Sequence, residues 1–295
     1  MAAEQKTIAA IGCSGHVAET IVHGLLKGAN VRLLARDADL LRSRYPDASI
    51  IEGSMMNADD VARTMNGVDA ALLLTPMARR NNATTEIAPA KSVIAGAHAA
   101  GLKHLVYASA IGAAPGTGVG LLDAKYEVER LVVNSGIPYS ILRCGGFMQD
   151  IFAPRKRSIS AGRFVYPLTR NRRFSYIDQS DIAPFMIQEL MNGRRILNSV
   201  TEFVDPATYS IAEIETALTH AAGTPVKVTS HFPALYALLA ARPYFHLRNH
   251  RFASIIPLLR HFDRYGCVAT ERSAGKTAPT FPMTNLHSYL AKLLQ

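Results

Sequence analysis

TIAAIGCSGHVA (residues 7–18), followed by VRLLAR (residues 31–36), decides the fold. The first five residues are an apolar run, the turn Gly12-Cys13-Ser14-Gly15-His16-Val17-Ala18 follows at once, and a helix-length segment then runs to Lys27. A second apolar run ends at Arg36. Strand, glycine turn, helix and strand is the order that a dinucleotide site requires. Gly12 permits the tight turn, Gly15 lets the backbone approach a pyrophosphate, and Ala18 is small enough for close helix–strand packing. Amide groups at the helix start then meet the phosphate anion. Gly12, Ser14, Gly15, His16 and Val17 are therefore the first cofactor-binding candidates.

Arg36 closes the second strand, where the adenosine ribose is read. An acidic residue there accepts hydrogen bonds from a free 2′-hydroxyl, whereas an arginine favours a 2′-phosphate. The sequence predicts NADP(H) on that ground. Two other readings stand beside it: a solvated arginine opening the loop Asp37-Ala38-Asp39, and Asp37 serving NAD instead.

The alternation continues along the chain. Strands are expected at Ser49–Ile51, Asp69–Leu74, Lys103–Ala108 and Tyr139–Leu142, with helices at Thr84–Ala100 and Leu121–Asn134. Strict alternation of strand and helix predicts an α/β fold, a parallel sheet wound on both faces. After Phe147 the rhythm loosens into loops rich in Arg, Pro and aromatics. A helix near Asp181–Met191, a strand near Thr201–Val204 and a helix at Ile211–Ala222 follow, then a helical stretch from Pro233 to Leu259 interrupted at Pro243 and Pro257. The expected organisation is a dinucleotide-binding domain at 1–150 and a smaller α+β cap lobe at 151–295, with some chain crossing back to the sheet. Ligands of open parallel sheets lie at the carboxyl ends of the strands. That rule puts Gly12–Val17, Arg36, Ser54, Met55, Thr75, Pro76, Ser109 and Arg143–Phe147, with Gly145 among them, on one rim.

Charge is distributed unevenly. Residues 1–150 hold 14 Lys+Arg and 14 Asp+Glu, and residues 151–295 hold 18 and 9, so the whole net charge of +9 belongs to the second half. No acidic residue occurs from Ile151 to Ile177 or from Thr216 to Phe262. Such a lobe attracts anionic substrates or an acidic protein partner. No zinc-finger spacing, RNP-like run or basic-zipper heptad accompanies it, so no specific nucleic acid is expected. No apolar run approaches the ~20 residues that span a bilayer. The first strand begins almost at once, which predicts no signal sequence. Three well-separated cysteines, Cys13, Cys144 and Cys267, predict reduced thiols in a cytoplasmic setting and neither disulfides nor a metal site.

The run HLVYASAIGA (residues 104–113), the segment AKYEVERLVVNSGIPYSILRCGGFMQDI (residues 124–151) and the opening IGCSGHVA resemble the NmrA-like branch of the atypical short-chain dehydrogenases/reductases. FSYIDQSDIA (residues 174–183) resembles that group's extended relatives. The resemblance covers roughly the first 185 residues. It implies a Rossmann fold, NADP(H) binding and a substrate cleft under the C-terminal lobe. It also implies that Lys125 lies by the nicotinamide ribose, Ser109 in the active-site serine region, and Gly145 and Phe147 beside the nicotinamide. The chain departs from the pattern in three places. Leu121 stands where many short-chain enzymes carry a tyrosine, Ser54 where relatives carry Asp, and Ala18 where they carry a third glycine.

On the residues alone, Lys125 beside Glu127 and Glu129 reads as a surface lysine paired with Glu129 at i+4. In the role the resemblance implies, its ammonium holds ribose hydroxyls and favours the electron-rich oxygen of a reduced carbonyl. Beside a cationic nicotinamide its pKa is expected to fall, so that it releases a proton. Tyr176, His231 and Tyr265 are further donor candidates, and Phe147, Met148, Tyr176 and His231 are candidate substrate contacts. The aromatics Phe147, Phe152, Phe164, Tyr166, Phe174 and Tyr176 line a pocket or form the core between the lobes. The expected function is an NADP(H)-dependent oxidoreductase of specialised metabolism, reducing a carbonyl, imine or activated C=C of a mid-sized organic molecule and acting as a monomer or homodimer. The alternatives are a cofactor-binding redox sensor and a non-redox biosynthetic enzyme on the same fold.

Overall fold

The computed structural model describes residues 5–295 apart from 14, 78–80, 167, 169–171, 193–195, 231–251 and 269–282, and apart from the side chains of His16 and Phe252. In the first half, strand and helix alternate: β1 (Thr7–Ile11), α1 (His16–Leu25), β2 (Asn30–Ala35), α2 (Ala38–Arg44), β3 (Ser49–Glu52), α3 (Ala58–Met65), β4 (Ala70–Leu73), α4 (Thr84–Ala99), β5 (Leu105–Ala110), α5 (Gly120–Val133) and β6 (Tyr139–Cys144). The second half adds β7 (Gly146–Phe147), α6 (Met148–Ile151), α7 (Lys156–Ser160), β8 (Arg163–Tyr166), β9 (Tyr176–Ile177) and α8 (Gln179–Asn192). It ends with β10 (Ser199–Phe203), α9 (Ile211–Ala222), β11 (Lys227–Ser230), α10 (Phe252–Tyr265) and α11 (Leu286–Leu294).

Seven strands form one parallel sheet in the order β10-β6-β5-β4-β1-β2-β3. Successive side chains of a strand point to opposite faces, and both faces of this sheet are covered, so its strands read as unbroken apolar runs. Ile8 and Ala10 join a core with Ile21, Val22 and Leu25 of α1 and Ile182, Met186 and Leu190 of α8. Ala9 and Ile11 join the opposite core with Val61 and Met65 of α3, Val93 and Ala97 of α4, and Val128 and Val132 of α5. Each such buried Val, Ile or Leu contributes about 1.5–3 kcal/mol. The fold is a Rossmann-type doubly wound sheet.

The second half returns to this sheet. Strand β10 pairs with β6, and α8 packs so closely on α1 that a β-carbon on Gly24 would lie 2.3 Å from Ile187 Cδ1. The remaining elements gather around a separate core that includes Phe152, Phe164, Tyr166, Phe174, Tyr176, Tyr209 and Tyr289. Strands β8 and β11 pair in parallel beside it. Of the aromatics expected as pocket or core, Phe152, Phe164, Tyr166, Phe174 and Tyr176 are thus core, and Phe147 is half-buried outside it. The expected break at Pro257 does not occur, because α10 continues through that residue with one backbone donor fewer. Pro243 lies outside the described residues. Among the described residues, no helix is long and apolar enough to cross a membrane.

Candidate active site

The strand order reverses between β1 and β4, and in such sheets a ligand crevice opens at that point. Gly12 follows β1 with a φ of +86°, and a β-carbon there would sit 1.9 Å from the Leu74 carbonyl oxygen. Only glycine satisfies both conditions. Gly15 is the N-cap of α1 in extended conformation and makes no side-chain cap. Its β-carbon position has no atom within 4 Å. The first-turn amides of α1 are left without a capping side chain on an open approach, which suits an anion. Ala18 is buried against the core, Val17 is half-buried, and the Cys13 thiol is buried and pushed up to about 12 by that burial. This cradle fits a pyrophosphate. Ser14 and the His16 side chain lie outside the described residues.

Arg36 lies just past β2, exposed and without an ion pair among the described residues. Asp37 is engaged elsewhere: its carboxylate accepts from Leu40 N at 3.1 Å and caps α2. Arg36 is therefore exposed at the carboxyl end of β2 while its neighbour Asp37 is held by α2. Across the rim, Asp60 accepts from Ser54 N at 2.9 Å, and Ser54 Oγ accepts from Met56 N at 3.2 Å. Met55 packs against the core below α3 and α4.

Thr75 lies two residues past the end of β4, with Pro76 exposed beside it, and opens onto a buried charged cluster. Lys125, reaching in from α5, has three N–H donors and three acceptors: Glu86 Oε1 at 2.9 Å, Thr75 Oγ1 at 2.9 Å and the Ala108 carbonyl at 3.1 Å. Its ammonium also lies 5.2 Å from the centre of the Tyr107 ring. Thr75 donates its hydroxyl proton to Glu86, and Tyr107 Oη is 3.4 Å from Thr75 Oγ1. Glu86 and Tyr107 are fully buried. Burial alone would lower the Lys125 pKa, but Tyr107 and Glu86 outweigh it and push it up. Burial pushes the Tyr107 phenol up as well.

The NmrA-like family model matches residues 4–265. The chain belongs to the NmrA-like family. It is 28% identical to the NAD(P)H azoreductase of Xenophilus azovorans over 223 residues, which cover 75% of each chain. Among solved structures it resembles an NADPH-dependent quinone oxidoreductase of Escherichia coli complexed with NADPH, at a TM-score of 0.80 and 18% identity, covering 98% of this chain and 100% of the other. The triphenylmethane reductase of Citrobacter sp. complexed with NADP(H) gives a TM-score of 0.79 at 15% identity, covering 98% and 100%. Of three further curated relatives the chain spans only 58–61% of the length.

Several site expectations for this NmrA-like chain change in the structure. Lys125 does not pair with Glu129. Glu129 is buried in a two-pronged contact with Arg143, at 2.9 and 2.6 Å, and also accepts the Ser109 hydroxyl. Ser109 is thus buried and tied to a structural ion pair, which leaves it no reactive hydroxyl. Without cofactor, Tyr107 and Glu86 hold the Lys125 pKa up, the direction opposite to the one expected beside a cationic nicotinamide. Tyr176 lies in the second core, hydrogen-bonded to Tyr166, with its phenol held well above the ordinary range by burial and by Tyr166. It is packing and not a donor. Met148 is fully buried in the same core and offers no surface to a substrate. Gly145 is hemmed in by Val204, 2.5 Å from its β-carbon position, and the half-buried Phe147 joins β7 to β9 at the rim. Tyr265 is 60% exposed and packs at a tilt against His261 at the end of α10, with ring centres 4.8 Å apart. His231 lies outside the described residues. All three cysteines are free and buried, and burial pushes each thiol to about 12.

Glu86 and Tyr107 are absent from the sequence reading. A lone acid in the first turn of α4 reads as a partner of the helix dipole, and a tyrosine within HLVYASA reads as an ordinary strand residue. Only the sheet brings them under Lys125.

Proposed function

We propose that this chain transfers a hydride from NADPH to a conjugated organic acceptor whose reduced form carries its negative charge over several atoms. The reading rests on one observation: the Lys125 charge is fixed at the carboxyl edge, 2.9 Å from Thr75, which borders the same crevice as Gly12. NADPH, when bound, supplies the hydride, and the protein supplies orientation and charge. The turn from Gly12 to Val17 would hold the pyrophosphate and Arg36 the 2′-phosphate, and Lys125 would stand on the nicotinamide side as a fixed charge.

What these residues withhold narrows the acceptor. Leu121 replaces the phenol donor, Tyr176 is buried, and Lys125 has committed its three N–H groups while its proton is held tightly. An acceptor that takes up a hydride here gains one negative charge and takes its proton from water. An isolated ketone would become a strongly basic alkoxide without help. A quinone, an azo group or an activated C=C delocalises the charge, and the fixed ammonium stabilises it further. The azoreductase, quinone oxidoreductase and triphenylmethane reductase among the relatives support a conjugated acceptor. The basic second half suits one that carries an anionic substituent.

The test is NADPH oxidation by the purified chain with a naphthoquinone, a sulfonated azo dye and a saturated ketone. Turnover of the conjugated acceptors and none of the ketone is expected. NADPH binding with no turnover of any of them overturns the reading in favour of a redox sensor.

A further inference from the structure

Glu86 is the one carboxylate in contact with the Lys125 ammonium among the described residues, and it is fully buried. One of its oxygens carries the whole arrangement: Oε1 meets Lys125 and accepts from Thr75. The other, Oε2, is buried with no hydrogen-bond partner. Stability gives no reason for this design, because a buried ion pair seldom outdoes apolar packing of the same volume. Position does give one. Glu86 comes from α4 and Lys125 from α5, and their contact lies against Thr75, just past the end of β4, and the Ala108 carbonyl of β5. Without the carboxylate, a buried ammonium facing only Thr75, Ala108 and a tyrosine ring loses its charge partner. It then swings to solvent or gives up its proton.

We propose that Glu86 is a positioning residue of this site: its carboxylate fixes the Lys125 ammonium and the Thr75 hydroxyl at the carboxyl edge, so that Lys125 serves the reaction as a permanent charge and not as a proton donor. This rests on the hydride-transfer reading for its role in turnover, but not for its hold on Lys125. Glu86 touches neither crevice nor acceptor and acts through Lys125 and Thr75.

The experiment follows the lysine directly. In protein carrying 13C at the lysine ε-carbons, the Lys125 resonance is assigned by its loss in Lys125→Met and titrated without cofactor. In the unmutated chain it stays charged throughout the range in which the protein is folded. In Glu86→Gln, which keeps the shape and removes the charge, it titrates at or below about pH 10, the ordinary lysine range. Glu86→Asp, whose carboxylate is retracted by one carbon, lies between the two and serves if the glutamine variant does not fold. With a conjugated acceptor, kcat falls at least about tenfold in Glu86→Gln, the NADPH Kd moves less than about threefold, and Glu86→Asp recovers part of the loss. An unshifted Lys125 titration in a folded variant overturns the proposal. So does a shifted titration with unchanged kcat. If the unmutated chain reduces no acceptor, the hydride-transfer reading falls, and the titration still decides whether Glu86 fixes Lys125.

Discussion

Gly12 and Leu74 approach so closely that a β-carbon on the first would lie 1.9 Å from the carbonyl oxygen of the second. Gly15, three residues on, has nothing within 4 Å of the same position. The two glycines therefore fail differently. Gly12→Ala meets a backbone clash and a φ of +86°, and is expected to destabilise the fold by more than about 2 kcal/mol. Gly15→Ala, at an ordinary φ of −96°, should change stability by less than about 0.5 kcal/mol. Its methyl group still stands where a pyrophosphate approaches, so NADPH affinity should fall at least about tenfold. Thermal unfolding and a fluorescence titration measure both. Unchanged NADPH binding in Gly15→Ala would move the phosphate site elsewhere.

Arg36→Ser tests the cofactor preference. A charge-assisted contact to phosphate is worth roughly 1.5–3 kcal/mol, about ten- to over a hundredfold in affinity. With Asp37 held as the α2 cap, no neighbouring carboxylate takes over the reading of a free ribose. Calorimetry should show the preference for NADPH over NADH nearly gone in the variant and NADH binding unchanged. Equal affinities for the two cofactors in the unmutated chain would refute the assignment.

The sheet and the phosphate turn were legible in the sequence because their signals are local. A glycine turn between an apolar run and a helix needs only adjacent residues to be recognised, and alternation extends it to β6. The charged cluster was not legible, because Glu86, Tyr107 and Lys125 come from three separate elements, Thr75 comes from the loop after β4, and they meet only through strand order. The same holds for Ser109. Its place at the end of β5 was readable, but its bond to Glu129 depends on where α5 crosses the sheet. Tyr176 misled for a related reason: an aromatic beside a basic loop looks available until a second core closes around it.

Asn81 shows another long-range arrangement. It takes a left-handed φ of +57°, and its amide N donates to Ser254 Oγ of α10 at 3.1 Å. Its Oδ1 accepts from Gly120 N, the first residue of α5, at 2.6 Å, and its Nδ2 donates to the Gly118 carbonyl at 3.2 Å. Val119, the N-cap of α5, has no side-chain oxygen, so Asn81 supplies the cap from a distance. Asn81→Ala loses both side-chain bonds and the asparagine's tolerance of positive φ, and should destabilise by about 2 kcal/mol. Because α5 carries Lys125, kcat should fall with it. A thermal midpoint within experimental error of the unmutated chain would show that water replaces the clamp.

His104 makes stability depend on pH. It is buried, its Nε2 is 2.9 Å from Ser140 Oγ, and Ser140 donates to Glu189 at 3.3 Å, so the neutral ring is the donor toward Ser140. Burial, with help from Lys6, holds its pKa below the ordinary value. The unfolded chain takes up this proton near pH 6.5 while the folded chain does not. The contribution is complete above that pH and is lost as pH falls below it, at no more than about 1.4 kcal/mol per pH unit for one proton. Urea unfolding at pH 7.5 and pH 5.5 should show a smaller loss in His104→Asn than in the unmutated chain. Equal losses would assign the acid sensitivity to other groups.

Lys125→Met separates the two roles of the lysine. It removes the charge at similar length and leaves the Glu86 carboxylate buried without its partner, which costs about 3–5 kcal/mol of stability. Turnover of a conjugated acceptor should fall at least about a hundredfold, as expected for loss of one electrostatic group acting in the transition state. The double variant Lys125→Met/Glu86→Gln removes the stranded charge and should recover most of the stability while turnover stays low. Such non-additivity is the signature of two groups in direct contact. Denaturant melts and steady-state rates on the two single variants and the double variant decide it. If stability losses simply add, the pair is not coupled. If turnover returns along with stability, the single variant was slow because it was loosened, and the charge of Lys125 has no part in the chemistry.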